Sequence, residues 1–247
     1  MILNIAFLTE IVPGRILNEL YIYLDIAFLC AFLALLIVSK RYLTTLFALA
    51  GGIIYFIVDY GIFYLLLRTR VVIGAPYFSF LLWLSMSYGI TNFAWIWLWL
   101  KRDRRLLEWS ALIVVWWLCA PLIAKTFGPE FGQIEIYRGT GQYHGVMAIF
   151  LVIGYGGLFI YNILEKDVTK HVAILWLLAI GILVQFAWEV ALHLGGIRQG
   201  GLETIPINSL LETNMGVPYL YLIQTTILKR CHEDLTRPVM SMITQEG

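Results

Sequence analysis

Residues 171 to 194 read HVAILWLLAIGILVQFAWEVALHL, and Glu189 is the one acidic residue among them. About 20 mostly apolar residues are needed for a helix to cross the ~30 Å hydrocarbon core of a bilayer, so this stretch is long enough to span. The same reading applies along the chain to Leu17 to Val38, Leu43 to Leu67, Tyr77 to Leu100, Leu106 to Ala124, Gly145 to Leu164, His171 to Leu194 and Ser209 to Leu228. Lipid cannot satisfy backbone N–H and C=O groups, so spans are helices or a closed barrel. Long uninterrupted apolar runs lack the alternation of a barrel. The expected fold is an all-α polytopic transmembrane bundle of about seven helices.

Composition agrees. Hydrophobic residues make up 60% of the chain and charged residues 13%, with a mean hydropathy of +0.81, whereas soluble domains carry roughly 25% charged residues. The basic residues sit at span ends, where membrane insertion accounts for them, and no nucleic-acid partner is inferred. The lipid bilayer is the expected partner, with a small-molecule or lipid substrate; the sequence gives no oligomeric state. Cys30 and Cys119 fall inside spans and Cys231 in the basic tail, so no disulfide framework or metal-binding pair is formed. The first 15 residues have no basic leader and no small-residue cleavage site, which argues against a removable signal peptide. Phe127 to His144, rich in glycine, reads as a structured or mobile loop.

Orientation follows from charge. Lys40, Arg41, Lys101, Arg102, Arg104, Arg105, Lys166, Lys170, Lys229, Arg230 and Arg237 fall on one side of the expected bundle. Only Arg15, Arg68, Arg70, Lys125, Arg138 and Arg198 fall on the other. The positive-inside rule then predicts an N-terminus outside and a cytoplasmic C-terminus, which requires an odd number of spans. Trp97 and Trp99 near one helix end, and Tyr77 near the other, fit interfacial anchors.

Sliding the chain by 130 residues aligns Lys40 with Lys170, Gly51 with Gly181, Phe56 with Phe186, Asp59 with Glu189, Arg68 with Arg198, Pro76 with Pro206 and Ser79 with Ser209. A competing register, offset by 122, pairs Thr91 and Asn92 with Thr213 and Asn214. On the first register the chain is one membrane domain over residues 1–247. One repeat covers about 17–100, a linker helix 106–124, a second repeat about 145–228, and a cytoplasmic tail 229–247. This three-plus-one-plus-three plan resembles that of the SWEET sugar transporters and the KDEL receptor in span count, orientation and length; the proline–glutamine pair of the PQ-loop families is absent. A second, narrower resemblance rests on Trp188, Glu189, Pro206 and the run Val217, Pro218, Tyr219, with Asp59 and Pro76 at repeat-equivalent places. These look like the membrane lycopene cyclase domain, which implies acid–base chemistry on an isoprenoid. Where that family places paired carboxylates after the proline, this chain has Tyr77, Phe78 and Ile207, Asn208.

Ionisable groups inside hydrocarbon cost ~2.5 to 3.5 kcal/mol each on insertion scales, so each is a candidate for function. Asp59 and Glu189, at equivalent places in the proposed repeat, are the candidates for proton coupling or general acid catalysis. Asp25, Tyr88, Asn92, His144, His193, Asn208, Glu212 and Asn214 are the candidates for substrate binding. Helical spacing puts Asn18, Tyr21 and Asp25 on one face, Tyr55 with Asp59, Gln185 with Glu189 and His193, and Asn208 with Glu212. The expected result is a cavity open to the outside and closed below by Tyr88 and Asn92. Asn18, Asn92, Asn208 and Asn214 also read as interhelical hydrogen-bonding groups. Nine residues separate Glu189 from Arg198, about 13 Å along a helix, which argues against their pairing within one helix. Glycines 51, 52, 154, 156 and 157 read as close-packing positions. No span carries a zincin-type pair of histidines, and no metal or cofactor is inferred. Two functions from different classes remain open: a small-solute transporter or permease coupled to protons, and an intramembrane enzyme acting on a lipid or isoprenoid. A receptor-like or accessory subunit is a third.

Overall fold

The computed structural model describes residues 13 to 230. The segment before Pro13, and the tail beyond Arg230 with Cys231 and Arg237, lie outside the described residues.

The fold is an all-α bundle. Helix α1 (Glu19–Val38) begins at Asn18, whose side chain accepts from the Tyr21 amide and so satisfies one orphan donor of the first turn. Helix α2 (Tyr42–Leu66) is α-helical to Phe56 and widens into a π-helix over Ile57–Leu66. Helix α3 (Tyr77–Leu100) follows Pro76, which occupies its N-cap. Helices α4 (Leu106–Phe127), α5 (His144–Leu164) and α6 (Ile174–Leu194) come next. Two shorter pieces, α7 (Thr204–Leu211) and α8 (Val217–Arg230), complete the bundle.

Among the described residues five segments are long and apolar enough to cross a membrane: α1, α2, α4, and the stretches 141–164 and 168–194 that contain α5 and α6. Helix α3 is long enough too, but Ser, Thr, Asn, Tyr and Trp dilute its hydropathy. Its position explains that composition. It packs against α1, α2, α4, α6 and α8, and its run Gly89 to Leu98 is buried throughout, so it meets protein where the others meet lipid. Helix α5 is the opposite case, with Val146, Ile149, Phe150, Val152, Ile153 and Phe159 exposed along it as a lipid-facing wall.

Glycines set the α2–α3 contact. A Cβ on Gly89 would lie 2.5 Å from the Gly52 Cα, so the two backbones touch directly. Gly154 likewise lies against Pro218 and Tyr219, whereas Gly156 and Gly157 have open space beside them and do not serve the packing role expected of them.

Two expectations are corrected. The last span is not one helix from Ser209 to Leu228, because it breaks between Leu211 and Val217 around a 3-10 turn at Asn214–Gly216. Pro218 explains the restart, since proline has no N–H to bond backwards and is accommodated in a first turn. Trp97 is no interfacial anchor; it is 1% exposed and packs against Phe47 inside the bundle. The loop from Phe127 to His144 contains a β-strand. That strand belongs to a small sheet.

Strands β1 (Pro13–Asn18), β2 (Arg70–Ile73) and β3 (Gln133–Arg138) form an antiparallel sheet in the order β1-β3-β2. It roofs the end of the bundle where α1, α3 and α5 begin. Alternation along the strands gives it two faces. Arg15, Leu17, Arg70, Val72, Ile134 and Ile136 are buried, while Gln133, Glu135, Tyr137 and Ile73 keep part or all of their surface exposed. Gly74 ends β2 at φ +88°, a conformation that glycine adopts without strain. Asn18 also ties the roof to the bundle, donating to the Ala124 and Gly128 carbonyls at the end of α4.

At the other end the loops carry Lys40, Arg41, Lys101, Arg102, Arg104 and Arg105. Arg41 pairs there with Asp103 at 2.7 Å and lies over the Trp109 ring.

Candidate functional site

The roof brings four arginines to one place. Arg70 and Arg138 are directly opposite in the β2–β3 register, and like charges so placed repel. Asp59, from the first turn of the π-helix, resolves the conflict. Arg70 donates to its Oδ1 from Nη2 at 2.7 Å and from Nε at 3.1 Å, and Arg138 Nη2 approaches at 3.4 Å. Arg15 forms a backbone bridge with Arg198, which extends the arginine row past β1. Arg198 donates to Glu189 from Nε at 2.8 Å and from Nη2.

This last pair overturns the expectation that Glu189 and Arg198 are too far apart along one helix. Helix α6 ends at Leu194, and the chain turns back through Gly195 and Gly196, the latter at φ +71°. Arg198 is thereby returned to the acid it follows. The matching arginine for Asp59 is Arg70; Arg68 is exposed at φ +53°.

Glu189 is wholly buried and is also approached by Gln185 Nε2 at 3.2 Å and Asn208 Nδ2 at 3.3 Å. Gln185 joins the helices: its Nε2 donates to Glu212 at 2.9 Å, and its Oε1 accepts from Tyr88 at 2.8 Å and from Thr213. Glu212 lies at the break in the last span, within electrostatic reach of Tyr55, Tyr88, Arg70 and Arg138. Among the described residues it makes no ion pair within 4.0 Å. It differs in this from Asp59 and Glu189. Tyr55, Tyr88, Arg138 and Glu212 each keep part of their surface accessible, so the cluster is not sealed.

Burial governs the electrostatics of the roof. Arg15 is pushed down to about 10, first by burial and then by Arg138 and Arg198. Arg70 is pushed down to about 10 by burial and Arg138, against the pull of Asp59. Burial acts the same way on Arg138, but Asp59 and Glu212 outweigh it and hold the group above its ordinary value. All three stay charged at neutral pH, as guanidinium groups do. Four arginines thus face three carboxylates.

The sequence candidates divide. Asp59, Glu189, Tyr88, Asn208 and Glu212 join in this network, and His193 lies half-buried one turn beyond Glu189 on α6. Asp25 stands in a separate polar station, accepting from Trp83 Nε1 at 3.0 Å. Asn214 accepts from Tyr155 at 2.6 Å at the 3-10 turn that interrupts the last span. His144 opens α5, half-buried, with no partner on Nε2. Asn92 is fully buried, and neither side-chain atom has a hydrogen-bond partner, contrary to the interhelical bond expected of it. Sequence reasoning treated Arg15, Arg70 and Arg138 only as charges that set orientation. The signal that could have found them is the two-residue alternation Ile134, Ile136, Arg138 and Arg70, Val72, which belongs to half-buried strands.

Comparison with known proteins gives no match: no protein-family model, no curated protein and no solved structure is significantly similar to this chain.

Proposed function

We propose that the protein is an intramembrane enzyme acting on a lipid or isoprenoid by acid–base chemistry, with Glu212 as the proton-exchanging group. The observation that carries this reading is the one-sidedness of the buried polar network. Arginines, carboxylates, Gln185 and Tyr88 gather under the roof. Polar groups toward the basic end serve backbone: Gln224 donates to the Trp97 carbonyl, Thr45 to the Arg41 carbonyl, and Asn162 bonds both backbone groups of Val172. Phe47, Phe93 and Trp97 pack among them. A solute crossing the bilayer needs polar partners along both halves, whereas a substrate that stays in the membrane needs them only where it reacts.

Within this reading Asp59 and Glu189 fix the guanidinium groups in place. Glu212, which among the described residues accepts a hydrogen bond from the neutral Gln185 and makes no ion pair, is the carboxyl able to give and take a proton beside Tyr55 and Tyr88. By the positive-inside rule the roof lies on the outer face of the membrane, with the N-terminus outside. The test is to incubate purified protein with total lipid and isoprenoid extract and follow products by mass spectrometry. Loss of product with Glu212→Gln is expected; equal product from that variant removes Glu212 from the mechanism.

One observation favours a second reading, a proton-coupled permease. Interrupted helices are a recurrent device for substrate and ion sites in transporters, and the last span is interrupted beside Glu212. Proton uptake into liposomes that depends on an added solute, abolished by Glu212→Gln, would support it over the enzyme.

A further inference from the structure

Among the described residues of the roof, three buried guanidinium nitrogens have no hydrogen-bond partner: Arg15 Nε, Arg70 Nη1 and Arg138 Nε. They come from three strands, yet all three arginines act on Asp59. Two of the three are almost fully enclosed, Arg15 at 3% and Arg70 at 2% exposure. Arg15 also lies over the Trp188 ring at 5.5 Å, and no described carboxylate is within 4.0 Å of it. Buried guanidinium donors left unsatisfied are costly, and charge-assisted bonds to an oxyanion are the means by which such donors are satisfied. Asp59 and Glu189 neutralise at most two of the four arginines, and Glu212 pairs with none.

We infer that the arginine roof is a binding site for a phosphate-type oxyanion, either free phosphate or the phosphate monoester headgroup of a membrane amphiphile. Three donors on three arginines match the three terminal oxygens of a phosphate monoester better than the two of a carboxylate. Partly accessible Arg138, Tyr55, Tyr88 and Glu212 border the same cluster, so an amphiphile held there by its phosphate has its adjoining carbons next to Glu212. This inference rests on the enzyme reading for the role of the tail. Its test does not depend on turnover.

The experiment measures binding to the purified full chain in nanodiscs of zwitterionic lipid, by calorimetry and phosphorus NMR. The probes are inorganic phosphate, dodecyl phosphate and dodecanoate. Binding of both phosphates with similar affinity supports a free-anion site, and binding of dodecyl phosphate alone supports a headgroup site. Dodecanoate binding as tightly as dodecyl phosphate overturns the phosphate assignment, and no binding of either phosphate overturns the site. Among the described residues Arg15 holds no ion pair, so Arg15→Gln should keep the protein folded and weaken binding about tenfold to a hundredfold. Arg15→Lys keeps the charge without the Nε donor and should be intermediate. Unchanged affinity in both variants, with unchanged melting, overturns the role of Arg15. Tight phosphate binding without product formation would leave this site standing while the enzyme reading falls.

Discussion

Replacing Arg198 by leucine should destabilise the protein more than replacing its partner Glu189 by glutamine. The Glu189 side chain is 0% exposed and that of Arg198 12%, so losing the arginine leaves a carboxylate with no route to water. Breaking a buried ion pair from one side costs about 3 to 5 kcal/mol. Gln185 and Asn208 still donate to Glu189, which puts the expected cost near the lower end. About 3 kcal/mol is roughly a 150-fold change in the folded-to-unfolded ratio. Glu189→Gln keeps an acceptor for Asn208 and leaves an arginine that already touches solvent, so about 1 to 2 kcal/mol is expected. The assay is equilibrium unfolding of the purified protein in mixed micelles with increasing sodium dodecyl sulfate, followed by tryptophan fluorescence. The double variant Arg198→Leu with Glu189→Leu should recover most of the loss. Equal costs for the two single variants, or a cost below about 1 kcal/mol for Arg198→Leu, would refute the reasoning.

Three further outcomes follow from single contacts. Gly89→Ala drives a methyl into the Gly52 backbone and should cost about 1 to 3 kcal/mol in the same unfolding assay; an unchanged curve would mean that α2 and α3 separate freely. Asn92→Leu removes a buried amide with no partner and should raise stability by about 1 to 3 kcal/mol, and a loss would show that the amide is bonded. At the basic end, burial raises Asp103, but the Arg41 hydrogen bonds and the Arg105 amide outweigh it and hold the carboxyl below its ordinary value. A lowered carboxyl stabilises the fold above its unfolded value, about 3.9, and that contribution is lost as pH falls through the lower folded value. The melting advantage of the native protein over Asp103→Asn should therefore be constant from neutral pH down to about 5 and shrink as pH falls below the unfolded value, about 3.9. An advantage that persists at the acid end contradicts the pairing.

The helices were legible because each is decided locally. A run such as 174–194 is apolar except for the stripe Gln185, Glu189 and His193, and no tertiary contact is needed to read it as a span. The break in the last span was half legible: Pro218 marks it, but apolar residues on both sides hide it. The roof was not read, because a four-residue strand such as Arg70–Ile73 is too short to show a period by itself. It becomes a strand only when residues 133–138, two helices away in the chain, lie beside it. The carboxylates Asp59 and Glu189 stood out because acids are rare in spans. Their partners did not, since an arginine at a helix end already has a reason to be there in the positive-inside rule. The return of Arg198 to Glu189 depends on Gly195 and Gly196, whose turn a spacing argument along a straight helix leaves out.

The roof also dictates an order of assembly. Its strands stand before the first helix, after the second and after the fourth, and Arg198 stands after the sixth. A chain entering the membrane from its N-terminus therefore presents Arg15 long before β3 exists to hold it, and Asp59 with Arg70 before Arg138. Glu189, Arg198 and Glu212 arrive last, so a chain stalled after its fourth helix can hold the sheet with three arginines against the single carboxylate Asp59. Such an intermediate is uncompensated in charge at the membrane boundary, and only the final helices balance it. The arginine cluster therefore gains its full set of carboxylates only once residues 189 to 212 have joined the bundle.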